Sequence, residues 1–323
     1  MLVGLLTGGA AGALLLTTPA GAGVLTAAAD QLTVWTSPPD PDDVALADAI
    51  GFTAEGERIF FASRPEVESA ARFNEDCPAE GSIVLGCYTR GRIYVYEVTD
   101  ERLAGTNEVT AAHEMLHAAY ERLGDDERAR VDALVSAQID ALPADDPLRA
   151  TVDAYPADQR LNEFHSRFGT EVEELSPELE EHYARYFTDR SRIYDFYAES
   201  NRVLDETRAR IDELVSQLDA LDAQLTTDQA AYDADVAGLN ADIDAFNARA
   251  STPGGFVSQA QFDRERAALL ARSDTVEQER VTLNANIDRY NALRDELTDL
   301  DAGYAELYSH LNSQAAEGEA PAS

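Results

Sequence analysis

The chain has no lysine. All 25 of its basic side chains are arginine, set against 61 aspartates and glutamates, giving a net charge of −36 over 323 residues. This balance excludes nucleic acid as a partner, because a phosphate backbone would be repelled. The acidity itself bears mainly on solubility. Cysteine is nearly absent: Cys77 and Cys87 are the only two. Their spacing matches no common thiolate metal site, and in an extracytoplasmic protein they pair as one disulfide bracing the loop ahead of a strand. Charge is missing from residues 2–29, and the first charged residue is Asp30. A run of that length, rich in Leu, Ala, Gly and Val, fits either a membrane anchor or a secretory signal. It lacks a positively charged leader, while Ala22 in Pro19-Ala20-Gly21-Ala22-Gly23 offers a small-residue cleavage position. Residues 30–42, with Ser37-Pro38-Pro39-Asp40-Pro41 in their midst, predict an extended linker. The expected location is extracytoplasmic, membrane-anchored or secreted.

Histidine is scarce too, with five residues in the chain, and two of them form His113-Glu114-Met115-Leu116-His117. The surrounding residues 107–123 predict one helix ending at Gly124. Histidines four apart on a helix project from one face, one turn above the other. Both imidazoles can then ligate one Zn²⁺, with Glu114 facing a bound water as general base. Ala111, Ala112, Ala118 and Ala119 favour helix and let neighbouring elements approach closely.

A catalytic zinc takes three protein ligands and keeps one position open. Leu123 stands where a further histidine of the metzincin pattern would fall, and Met1 and Met115 are the only methionines, so no Met-turn follows. Residues 160–168 predict a second helix, with Leu161, Phe164 and Phe168 on its apolar face and Gly169 as its stop. Within it, Asn162-Glu163-x-x-Ser166 resembles the Asn-Glu-x-x-Ser/Ala motif of gluzincin metallopeptidases. That resemblance implies Glu163 as third ligand beside His113 and His117, with Glu114 as general base. It covers two short helices, and beyond them the chain is similar to bacterial zincin-like metallopeptidases without assigned substrates. His165 is the alternative third ligand, or a residue supporting the ligands. It lies roughly 200° around the helix from Glu163, so both should not reach one metal. An oxyanion donor is also required; Tyr183, Tyr186, His182 and Arg167 are candidates, and nothing in the sequence chooses among them.

Residues 92–98 are β-branched and aromatic and predict a strand, with residues 82–88 as its partner through Thr89-Arg90-Gly91. The zincin resemblance implies an edge strand that holds the substrate backbone by strand addition, a role carried to Ile93, Tyr94, Val95 and Tyr96.

From about residue 191 the texture changes. Leu204, Thr207, Ile211, Leu214, Leu218, Leu221 and Leu225 advance by threes and fours. The seam meets polar Gln229, then resumes through Tyr232, Val236, Leu239, Ile243 and Phe246. Ser251-Thr252-Pro253-Gly254-Gly255 breaks it. A second seam runs through Phe262, Leu269, Val276, Leu283, Ile287 and Tyr290, and, after a phase shift, on to Leu311. Two matched helices around such a turn predict an antiparallel coiled-coil hairpin, each arm roughly 80 Å long. Self-association into a homodimer and docking of a coiled-coil partner are both open to such seams.

The expected fold class is α+β, mainly α. A signal or anchor (1–29) and a linker (30–42) precede a zincin-like domain (43–190). A hairpin (191–312, turning near 251–257) and a disordered tail (313–323) follow. The expected function is zinc-dependent hydrolysis of peptide bonds in a protein or peptide substrate. Two alternatives are a cell-envelope coiled-coil scaffold with a structural or inactive zinc domain, and a zinc amidase acting on the cell wall.

Overall fold

The computed structural model describes residues 19–78, 83–153 and 155–318. The chain is mainly helical with one small sheet, in keeping with the α+β, mainly α expectation. In order, the elements are α1 (Pro19–Thr36), α2 (Pro41–Ile50), α3 (Ala54–Ala62), β1 (Glu66–Glu68), α4 (Ala70–Asp76), β2 (Gly86–Thr89) and β3 (Arg92–Tyr96). There follow α5 (Thr106–Glu121), α6 (Asp125–Ala141), α7 (Pro147–Asp153), α8 (Arg160–Glu171) and α9 (Pro177–Tyr183). The last are α10 (Ser191–Ala250), α11 (Gln259–His310) and α12 (Ser313–Gly318). Two compact units result, 204–306 and the remainder, so the boundary expected at 190 falls instead inside α10.

The core of the first unit is built around α5. Its small residues do what their size allows: Ala111, Ala112, Ala118 and Ala119 are wholly buried and bring β3, α3 and α8 close to the helix backbone. Asn107 fixes where strand becomes helix. Its side-chain amide donates to Val98 O and its oxygen accepts from Val98 N–H, at 3.1 and 3.0 Å. Asp40, Thr53 and Ser176 each cap a helix by accepting backbone N–H groups.

The sheet has the order β1-β3-β2, with β1 parallel to β3 and β2 antiparallel. This corrects the edge-strand expectation. β3 is the central strand, and Tyr94 and Val95 pair on both sides, with Glu66 and Val67 in β1 and with Cys87 and Gly86 in β2. A strand paired on both sides has no free ladder to offer a substrate. β3 also stops at Tyr96. Its partner begins at Gly86, and the part of the expected partner strand at Ser82 lies outside the described residues. Cys77 and Cys87 form the expected disulfide, tying the end of α4 to β2 with Cα atoms 6.1 Å apart.

Three further expectations change. The linker is largely helix: α1 runs to Thr36, packs on α3, and is pinned by Asp30, whose carboxylate accepts from Arg122 Nε at 3.1 Å. Only residues 37–40 separate α1 from α2. Gly169 does not stop α8, which continues to Glu171. A Cβ there would meet Leu116 and would lie 2.9 Å from Tyr183 Cε1, so the glycine serves close packing. The tail begins as α12 and packs on α4, where the Ser313 hydroxyl donates to Asn74 Oδ1 at 2.6 Å; 319–323 lie outside the described residues. No helix among the described residues is long and apolar enough to cross a membrane, and residues 1–18 of the expected signal or anchor lie outside them.

In the second unit, ion pairs join residues of α10 and α11 in opposite chain directions: Arg210 with Glu296, Asp242 with Arg272, and Arg249 with Glu265. Leu214, Leu218, Leu221, Leu239, Phe246 and Leu283 are buried, as the seams require, whereas Ile287 is exposed.

Candidate metal centre

The helical spacing of His113 and His117 sets their Nε2 atoms 3.1 Å apart. α8 crosses α5 so that Glu163 Oε2 lies 3.5 Å from His117 Nε2 and 3.9 Å from His113 Nε2. Donor atoms of these three side chains all fall within 4.8 Å of one another, an arrangement able to hold a metal ion.

The surroundings prepare each donor. His117 Nδ1 lies 3.0 Å from Asn162 Oδ1. Glu163 Oε1 accepts from Arg167 Nε at 2.6 Å, leaving Oε2 for the histidines. Arg167 reaches on to Glu171 with Nη1 at 3.0 Å. Burial, helped by the neighbouring His117, pushes the His113 pKa down to about 3, so this imidazole is neutral at physiological pH. Burial opposes charge on His117 and Glu163 as well, but other forces outweigh it. The Glu163 hydrogen bond and the Glu114 charge raise the His117 pKa. Contacts with His117, His113 and Arg167 hold Glu163 down to about 2. The donor set thus fits a divalent ion such as zinc: two imidazoles, one carboxylate that ionises readily, and an outer hydrogen bond on a ligand.

Glu114 turns to the sheet side of α5. Burial is the main cause raising its pKa, to about 7, and the charge on Glu163 adds to it. The carboxylate accepts from the Tyr88 backbone N–H, which partly offsets that rise. Gly86 makes this approach possible, since a Cβ there would lie 2.5 Å from Thr110 Cγ2 and 2.9 Å from Glu114 Cγ. The outer strand that borders the site is therefore β2.

The remaining candidates separate. His165 is not at the metal centre: it is fully buried, with Nε2 2.9 Å from His182 Nε2. This pair ties α8 to α9. Tyr183 is buried and donates to His165 O at 2.7 Å, and Tyr186 is buried against His182. Tyr183, Tyr186 and His182 are core residues, away from the cluster of His113, His117 and Glu163. Arg167 is at the site, but its guanidinium is engaged by Glu163 and Glu171.

Sequence reasoning missed Asn162, whose motif position was noted without a role, and Tyr155. The Tyr155 side chain lies close enough to feel the charges of Glu163 and Arg167, while the residue as a whole is 36% exposed. Burial of the hydroxyl and the charge on Glu163 raise its pKa, so it stays a proton donor. It lies 8 residues before Glu163 in a segment without helical or strand periodicity, and only the fold brings it to the site.

No protein-family model, no curated protein and no solved structure matches the chain.

Proposed function

We propose that this chain is a zinc-dependent metallopeptidase of gluzincin type that acts outside the cytoplasm, exported or membrane-tethered. The observation that carries this reading is the convergence of His113, His117 and Glu163, with a buried carboxylate, Glu114, on the same helix. Those three side chains would hold the ion. When bound, zinc supplies a Lewis acid that lowers the pKa of water and polarises a carbonyl.

The residues of the chain supply the rest. Glu114, with its pKa near neutrality, takes a proton from the attacking water and returns it to the leaving nitrogen as the C–O bond forms and the C–N bond breaks. Tyr155 joins Arg167 as candidate donor to the developing oxyanion, because both are at the ligand cluster and partly exposed. β2 takes the place of β3 as the strand along which a peptide backbone would lie. The Cys77–Cys87 disulfide supports the extracytoplasmic assignment. In the same reading, α10 and α11 form an antiparallel coiled-coil hairpin, a surface for a helical partner or a second copy.

Zinc content of the full chain, with peptide hydrolysis, tests the proposal. Wild type should bind one zinc and cleave peptides. Glu163→Ala should lose the metal, and Glu114→Gln should keep it while losing cleavage. Failure of the folded, zinc-supplied wild type to bind zinc would overturn the reading.

A further inference from the structure

Helix α1 carries an apolar stripe that no described part of the chain covers. Val24 is 67% exposed, Leu25 49%, Leu32 58% and Trp35 74%. At about 100° per residue these four fall within roughly 100° around the helix axis. The only charged residue of α1 is Asp30, on the other side of the helix, buried and held by Arg122. Its exposed face therefore carries no charge, in a chain where 27% of residues are charged. Trp35 is the only tryptophan in the sequence.

Two kinds of surface could cover such a stripe, a second copy of the chain or a lipid bilayer. Charge argues against a second copy, since each chain carries −36 and self-association would bring those charges together. Sequence continuity argues for lipid. From Ala29, in the middle of α1, back through residue 2 the sequence carries no charge. The helix ends at Thr36 and Ser37-Pro38-Pro39-Asp40 follows, so Trp35 stands at its end, and tryptophan favours the boundary between apolar and aqueous zones. The helix does not have the length and hydropathy to cross a bilayer, so it would lie along one. The net charge would oppose an anionic surface, which leaves a zwitterionic one.

We propose that α1 is an interfacial helix, its Val24–Leu25–Leu32–Trp35 stripe seated in a zwitterionic lipid bilayer. The Asp30–Arg122 pair fastens α5, the helix of His113 and His117, to that surface. The proposal does not depend on the metal site or on peptidase activity.

The single tryptophan makes it directly testable. The full chain is mixed with phosphatidylcholine vesicles, with and without bromine-labelled acyl chains, and Trp35 emission is followed. The expected result is a blue shift and at least twofold quenching by bromolipid. Leu32→Glu and Val24→Glu should each reduce that quenching severalfold without changing the helical circular dichroism. Vesicle flotation alone is not the readout, because residues 2–18 could hold the chain on lipid by themselves. Unquenched Trp35 that stays accessible to aqueous iodide would overturn the proposal. A blue shift that grows with protein concentration in the absence of lipid would also overturn it, in favour of a second copy.

Discussion

Asn162 fixes the tautomer of His117. Its Oδ1 lies 3.0 Å from His117 Nδ1, and an amide oxygen only accepts, so in the neutral ring Nδ1 carries the proton and Nε2 the lone pair. That lone pair faces His113 Nε2 and Glu163 Oε2. Asn162 thus selects the nitrogen that would bind metal under the proposed function, without itself joining the donor cluster.

Asn162→Ala should therefore weaken zinc binding about 10–100-fold while leaving the fold intact. A competition titration against a chromophoric chelator measures this directly. Asn162→Asp should retain most of the affinity, because a carboxylate also accepts from Nδ1.

Arg167 stands in the same relation to Glu163. Its Nε occupies Oε1 at 2.6 Å, and its Nη1 holds the half-buried Glu171. Arg167→Leu should lower zinc affinity about tenfold and cost on the order of 2 kcal/mol in stability, because both carboxylates lose a charged hydrogen-bond donor. If denaturation midpoint and zinc affinity both stayed at wild-type values, the guanidinium would have no part in presenting the ligand.

Gly86 tests the link between the sheet and the general base. Gly86→Ala places a methyl 2.5 Å from Thr110 Cγ2 and 2.9 Å from Glu114 Cγ, so β2 and α5 must separate. Peptide hydrolysis should fall about 10–100-fold, since small misplacements of a reacting group are costly, with zinc content unchanged. Adding Thr110→Ser removes the nearest contact and should restore part of the activity. Loss of zinc together with activity would mean that the strain spreads to the ligands.

What could be read from the chain follows the range of each signal. His113, Glu114 and His117 lie within one and a half turns of helix, so their shared geometry is local. Glu163 is marked by a five-residue motif, Asn162 to Ser166. Tyr155 and the Tyr88 N–H reach the site through tertiary packing, which leaves no periodic trace. Sheet order is equally non-local: β1 is three residues long, Glu66–Glu68, with two acidic residues, and nothing in it announces that it pairs with β3 and makes that strand central. Gly169 misled for a related reason. A glycine ends a helix only if the backbone must turn there; here the helix runs on to Glu171, and the glycine is required because Leu116 and Tyr183 occupy the space of a Cβ. The histidines His165 and His182 are candidates on residue type alone, yet the fold buries both and pairs their Nε2 atoms with each other.

Glu68 predicts a pH dependence that does not involve the candidate metal centre. It is 3% exposed in β1, and burial, reinforced by the carboxyls of Glu66 and Asp76, pushes its pKa up to about 7. The folded state therefore holds this proton more tightly than the unfolded chain does. Its stabilising contribution is full below about pH 4.5, the ordinary range for glutamate. That contribution is lost as pH rises through about 7. Glu68→Gln removes the titration and should flatten the dependence, so that the variant gains on wild type by up to about 3 kcal/mol at pH 8. Thermal midpoints at pH 4.5, 6 and 8 measure it; parallel curves for the two proteins would refute it.

The 204–306 unit separates apolar burial from surface charge as a source of order. Its ion pairs between α10 and α11 are exposed; Arg210 and Glu296, 2.6 Å apart, keep 38% and 43% of their side-chain surface in water. Such pairs contribute about 0.2–1 kcal/mol and are screened by salt. Leu214, one turn further along α10, is fully buried, and burial of its side chain excludes water from the seam. At the turn, Phe246, Phe256 and Phe262 pack ring against ring with centroids 5.1–5.2 Å apart and close the end of the helix pair. Leu214→Ala should thus cost about 2–4 kcal/mol locally, and Phe246→Ala a similar amount near the turn. Arg210→Ala should cost less than about 1 kcal/mol. Hydrogen exchange of the full chain resolves these effects by segment. Amides near residue 214 should lose protection in Leu214→Ala, and raising salt to 1 M should leave wild-type protection almost unchanged. A large loss of protection in salt would instead make the Arg–Glu and Arg–Asp pairs the dominant force between the two helices.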